Sequence, residues 1–164
     1  MKRNIARTTF VIISVVTLCI GLATAAYGED NGNCSTATAA GKWGFTLSGT
    51  LILPTGPVPG AAVGRISVDA AGNVSGTEAR NVGGGFANET IKGSWTVNSD
   101  CTTTITAHIY ESGVLVRTSV LAGVFVEHSN KLRAVQESLT NPDGSTVPVV
   151  ITLEGNKVFQ GNGG

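Results

Sequence analysis

Charge is scarce in this chain: only 13% of its 164 residues are Asp, Glu, Lys or Arg, with 11 basic and 11 acidic groups. Nowhere do the basic residues gather into a patch, so the electrostatic footprint of a nucleic-acid partner is missing. Aromatic residues make up 5%, too few for the exposed ring platforms on which sugars are commonly held. The two histidines, His108 and His128, are too far apart for an HxH or HExxH metal motif. The first alternates with Thr102, Thr104 and Thr106 and reads as a strand residue; the second follows Glu127 and reads as a loop residue. No GxSxG elbow, Walker loop or GxGxxG strand–helix element occurs, and Gly83-Gly84-Gly85 lies between strand-like segments as a turn. Neither a metal, a cofactor nor a set of catalytic residues is expected. Amphipathic helices are missing too, since no segment keeps a 3.6-residue apolar stripe for three turns.

One long apolar run is present, Phe10 to Ala26, preceded by Lys2, Arg3 and Arg7. It is shorter than the roughly 20 residues of a membrane-spanning helix and ends in Ala23-Thr24-Ala25-Ala26, the small-residue pattern of a secretory leader. Residues 1–25 are therefore expected to be a signal peptide and the protein to be secreted or periplasmic. No second apolar run of about 18 residues follows, so no integral membrane span is expected. Cleavage would remove Cys19 and leave Cys34 and Cys101, an even pair in an exported chain, whose plain reading is a disulfide. Closing that loop would stabilise the fold by about 4 kcal/mol on the chain-entropy model.

Residues 26–40 are polar and small, without period, and read as an extended arm tethered by Cys34; 159–164 read as a disordered tail. Between them, 41–158 form one domain. Beyond the leader there are 16 Thr and 16 Val, a composition of strands. Turn signals from Pro54–Gly60 to Asn141–Gly144 divide the domain into eight strands, at 42–53, 61–69, 73–80, 86–97, 101–110, 114–127, 131–140 and 146–154. Short connections favour antiparallel neighbours. An eight-stranded up-and-down meander barrel is the expected fold, because closure removes exposed edges. A β-sandwich is the alternative: Cys34, Trp43 and Cys101 imitate the immunoglobulin spacing, although Trp43 comes early and Ser99 stands where that fold places a Tyr.

Alternation by two places Trp43, Phe45, Leu47, Gly49 and Leu51 on the inner face of the first strand, Val74, Gly76, Glu78 and Arg80 on that of the third, and Glu89, Ile91, Gly93 and Trp95 on that of the fourth. The buried carboxylates call for a cation, Arg80 or Arg117. Gly49, Gly76 and Gly93 are expected to leave space inside. Strands 114–127 and 146–154 are apolar on both faces, which points to a homo-oligomer through them, with Leu121 and Phe125 outward.

Gly41-Lys42-Trp43 with Leu47, followed by GNVSGTEARNVGGGFANETIKGSWTV from Gly72 to Val97, resembles the first half of avidin-like barrels, and Gly-x-Trp also opens the wider calycin barrels. The chain is more closely similar to an uncharacterised family of secreted bacterial proteins with a GFTLSGT strand and a D-x-x-GN-x-SGT hairpin. The avidin likeness implies a barrel but not biotin: Phe45 and Gly49 replace the Asn and Ser of the first strand, and Glu78 and Arg80 replace the Tyr and Ser of the third. The expected function is a non-enzymatic barrel binding a small apolar or amphipathic ligand among Trp43, Phe45, Ile91 and Trp95, with Glu78, Arg80 and Glu89 as polar points. The alternatives are a structural protein with a packed barrel and a cofactor-free isomerase or cyclase using one Glu as base.

Overall fold

The computed structural model describes residues 34–158. The expected leader, the first part of the arm and the expected tail lie outside the described residues. Eight antiparallel strands follow in order: β1 (Gly41–Leu53), β2 (Gly56–Val68), β3 (Asn73–Val82), β4 (Gly85–Val97), β5 (Thr102–Glu111), β6 (Val114–Val126), β7 (Lys131–Thr140) and β8 (Val149–Lys157). Each pairs with the next, and β8 pairs back onto β1, so the sheet is a closed meander barrel and not a sandwich. Closure pairs the first strand with the last, so no strand is left with an unpaired side along its whole length.

Two strand starts differ from the sequence expectation by more than one residue. The Pro-rich segment read as a long turn is mostly strand: β2 begins at Gly56, with Pro57 opposite Ile52 and Pro59 opposite Thr50. Proline is tolerated there because β3 reaches only as far as Gly60. The Pro59 carbonyl points to that side, accepting from Gly83 N–H, so the missing proline N–H faces a stretch with no ladder to feed. At the other end of the chain β8 starts at Val149, later than the run of valines suggested. Val147 N–H bonds to Leu139 while the Pro148 carbonyl accepts from Ile52 N–H, so these residues leave β7 before a regular ladder forms.

The expected inner faces of β1, β3 and β4 are inward in the barrel. On β6 the expectation is reversed: Leu121 and Phe125 are core residues, 4% and 6% exposed, and belong to no outer surface. A bulge between Ile109 and Tyr110 in the β5–β6 register inserts Val116 and sets Arg117, Ser119, Leu121 and Phe125 on the inner face. The exposed apolar side chains of this wall are instead Val114, Val124, Val135 and Val150.

The described part of the arm is not extended. Thr36–Ala39 form a single 3-10 turn that lies against the end of β4, where Thr36 Oγ1 accepts from Val97 N–H. Ala39 is fully buried, and its carbonyl accepts from Trp43 Nε1 at 2.8 Å. Lys157 Nζ donates to the Thr38 carbonyl at 3.0 Å, and a disulfide joins Cys34 to Cys101, 67 residues on, in the β4–β5 turn. The described part of the arm is thus a cover over one barrel end. The opposite rim carries the β1–β2, β3–β4 and β5–β6 turns and the 141–148 loop.

Candidate ligand cavity

Side chains at the covered end fill the barrel. Trp43 and Trp95 are both 1% exposed, with ring centroids 5.2 Å apart, and Phe125 stacks on both at 5.6 and 5.5 Å. Such ring contacts add to the area that each aromatic buries. Above this floor the barrel is not filled: a cavity of about 140 Å³ runs from Trp43 and Trp95 past Phe45 and Ile91 to Leu51 and Val82 near the open rim.

The glycines expected to create that space do something else. A Cβ at Gly49 would meet Ile151 Cα at 2.6 Å, one at Gly76 would meet Ile66 Cα at 2.7 Å, and one at Gly93 would collide with the Thr106 carbonyl. All three let neighbouring backbones approach closely, and none of them lines the cavity. The space comes from side chains that do not meet across the bore.

Polar groups enter the wall on β3, β4 and β6. Glu78 and Glu89 are directly opposite each other in the β3–β4 register and are 7% and 3% exposed. Arg117 reaches both: Nη2 donates to Glu78 Oε1 at 2.9 Å and to Glu89 Oε2 at 2.6 Å, and Nη1 donates to Glu89 Oε1 at 2.7 Å. Arg80 Nε donates to Glu89 Oε1 at 3.0 Å. Both expected cations are therefore used, and Arg117 holds the centre. The two carboxylates differ. Burial pushes the Glu78 carboxyl up to about 7, with the neighbouring Glu89 charge adding to the rise and Arg117 opposing it. Burial acts the same way on Glu89, but the hydrogen bonds and charge of Arg117, then those of Arg80, outweigh it and hold Glu89 below the usual range.

Of the residues expected to meet a ligand, Trp43, Phe45, Glu78, Arg80, Ile91 and Trp95 line the cavity. Glu89 does not; its oxygens are turned to the two arginines. Arg117, Ser119 and Gln136 also line it. Gln136 Nε2 donates to Ser119 Oγ and to the Ser138 carbonyl, each at 3.1 Å. No sequence signal singled out Ser119 or Gln136: both belong to strands where the alternation is interrupted by bulges, at Ile109/Tyr110 and at Val120/Leu121. Beside Gln136 the wall is thin, because the β7–β8 ladder runs only from Lys131↔Asn156 to Val135↔Thr152.

His108 lies on β5 with Nδ1 3.1 Å from Thr118 Oγ1, and no cluster of metal-ligating side chains exists among the described residues. No described helix is long and apolar enough to cross a membrane.

No family model matches the chain, and no curated protein matches it. Among solved structures it is similar to the S-type phycobiliprotein lyase CPES from Guillardia theta, with a TM-score of 0.47 and 9% identity, over 83% of this chain and 99% of that one.

Proposed function

We propose that this is an exported β-barrel protein that holds one small, mainly apolar molecule inside its barrel. The observation that carries the reading is the cavity of about 140 Å³ walled by Phe45, Ile91, Trp95 and other apolar side chains, with a few fixed polar groups. Its volume is close to the roughly 150 Å³ of an apolar cavity that takes up benzene and well under the roughly 300–1,000 Å³ of pockets for drug-sized ligands. A single ring or a short chain is the size that fits. Export is supported by the leader-like N-terminal sequence and by the Cys34–Cys101 disulfide, a bond that persists in oxidising compartments.

Native mass spectrometry of the protein purified from its own source tests the reading. The expected result is a non-covalent adduct of low mass that is lost on denaturation. A bare mass, with tryptophan fluorescence unmoved by a panel of small apolar compounds, would leave a packed structural barrel in its place. One feature favours a second reading: a carboxyl with a pKa of about 7 on the cavity wall, Glu78, is poised for general acid–base chemistry. If Glu78→Gln keeps the adduct but ends its chemical conversion, the barrel is an enzyme.

A further inference from the structure

The charged groups on the cavity wall are Glu78, Arg80 and Arg117, with Glu89 beside them; the side chains that β1, β2, β5, β7 and β8 turn to the cavity carry no charge. The two arginines are engaged unequally. Arg117 uses Nη1 and Nη2 on both carboxylates. Arg80 uses only Nε, on Glu89, and its two Nη groups meet no acceptor among the described residues. Its side chain is 24% exposed, so these donors are accessible. The residues flanking it are small: its cross-strand partners are Ala62 on β2 and Ala87 on β4, and an alanine is too short to cover a guanidinium group. Val82, two residues further along β3, lines the cavity toward the open rim, so Arg80 stands between the apolar floor and the mouth. Charge points the same way. Two guanidinium groups share the Glu89 carboxylate, while burial keeps Glu78 protonated up to about pH 7. Below that pH the cluster carries an uncompensated positive charge, and the N–H groups that face away from the carboxylates are those of Arg80.

We propose that the ligand is a small monocarboxylate, a single-ring or short-chain acid, whose carboxylate lies against the two Nη groups of Arg80 while its apolar part packs below among Phe45, Ile91 and Trp95. A planar guanidinium matches two carboxylate oxygens. A single excess charge suits a monoanion better than a phosphate monoester, which carries roughly two charges near neutral pH. This rests on the ligand-binding reading above and adds to it the charge of the molecule and its direction in the barrel.

Benzoate and benzamide have nearly the same shape and differ in charge, which makes them the probes, with calorimetric titration as the readout. At about pH 6 benzoate should bind the wild-type protein about tenfold or more tightly than benzamide. Arg80→Gln should bring the two affinities within about threefold of each other. The wild-type protein gives a second readout that needs no variant and decides the matter if Arg80→Gln does not fold. Benzoate stays ionised between about pH 6 and pH 8, while Glu78 gains its charge in that interval and cancels the excess. Benzoate affinity should therefore fall about tenfold across it, and benzamide affinity should stay level. Benzamide binding as tightly as benzoate at pH 6, the wild-type preference persisting in Arg80→Gln, or a benzoate affinity indifferent to pH each overturns the carboxylate proposal and leaves the cavity reading intact. No binding of either probe defeats the cavity reading, and the carboxylate proposal with it.

Discussion

Glu78 and Glu89 face each other across one rung of the barrel, yet the same substitution should have opposite effects on them. Glu89 neutralises two guanidinium groups, so Glu89→Gln leaves buried positive charge without a partner and should cost about 3 kcal/mol or more in urea denaturation at pH 7.5. Glu78 holds its proton in the folded protein up to about pH 7, against 4.5 for a free carboxyl. The folded state therefore binds more protons than the unfolded one between those values. Its contribution to stability is fully present below about pH 4.5 and is lost as the pH rises to about 7, a fall on the order of 3 kcal/mol. Glu89, with its lowered value, contributes stability that is fully present above about pH 4.5 and is lost as the pH falls from there through its folded pKa. Glu78→Gln should accordingly flatten the stability profile between pH 4.5 and 7. Denaturation at closely spaced pH values checks this, and an unchanged slope would mean that Glu78 is ionised throughout. Both carboxylates were legible in the sequence, because a charged residue in an otherwise apolar alternation marks an inner face. The cation was less so: Arg117 follows the Val116 bulge, and a bulge shifts the period by one without leaving a mark in composition.

At the scale of strands, the alternation failed where both faces are apolar. On β6, Val120 and Val124 alternate with Leu121 and Phe125, and either set satisfies a period of two, so only tertiary packing decides which is buried. The decision is testable. Phe125→Lys places a charge against Trp43 and Trp95 and should abolish folding or cost more than about 3 kcal/mol, whereas Val63→Lys on the exposed outer face of β2 should change stability by about 0.5 kcal/mol or less. Calorimetric melting of the two variants gives the comparison. The short β7–β8 ladder was invisible in the sequence, since the residues around the Gln136–Ser138 bulge have ordinary strand character. Backbone amides at 136–138 and 149–151 should exchange with deuterium faster than those of β4 and β5, as expected where wall hydrogen bonds are few. Uniform protection around the barrel would show that this seam is closed.

For the molecule as a whole, the number, order and antiparallel sense of the strands were written in the spacing of Gly, Pro and Asn turns, and closure followed from the need to hide edges. The cover over one end was not, because Thr36–Ala39 has no helical pattern and is held in place by the disulfide, the Trp43 indole and Lys157. The Cys34→Ser, Cys101→Ser double variant should lose about 4 kcal/mol and expose the Trp43 N–H to solvent, seen as loss of protection of one indole proton. The proposal that copies associate now rests on Val114, Val124, Val135 and Val150. Light scattering of wild type and Val135→Lys should show an oligomer that the substitution breaks, and a monomer at tens of micromolar would dismiss it. An accessible, ligand-sized apolar space inside the barrel would take up xenon, and diffraction from a crystal pressurised with that gas would reveal it. An anomalous peak is expected inside the barrel among Phe45, Ile91 and Trp95. An interior without xenon, with side chains closed across the bore, would contradict it.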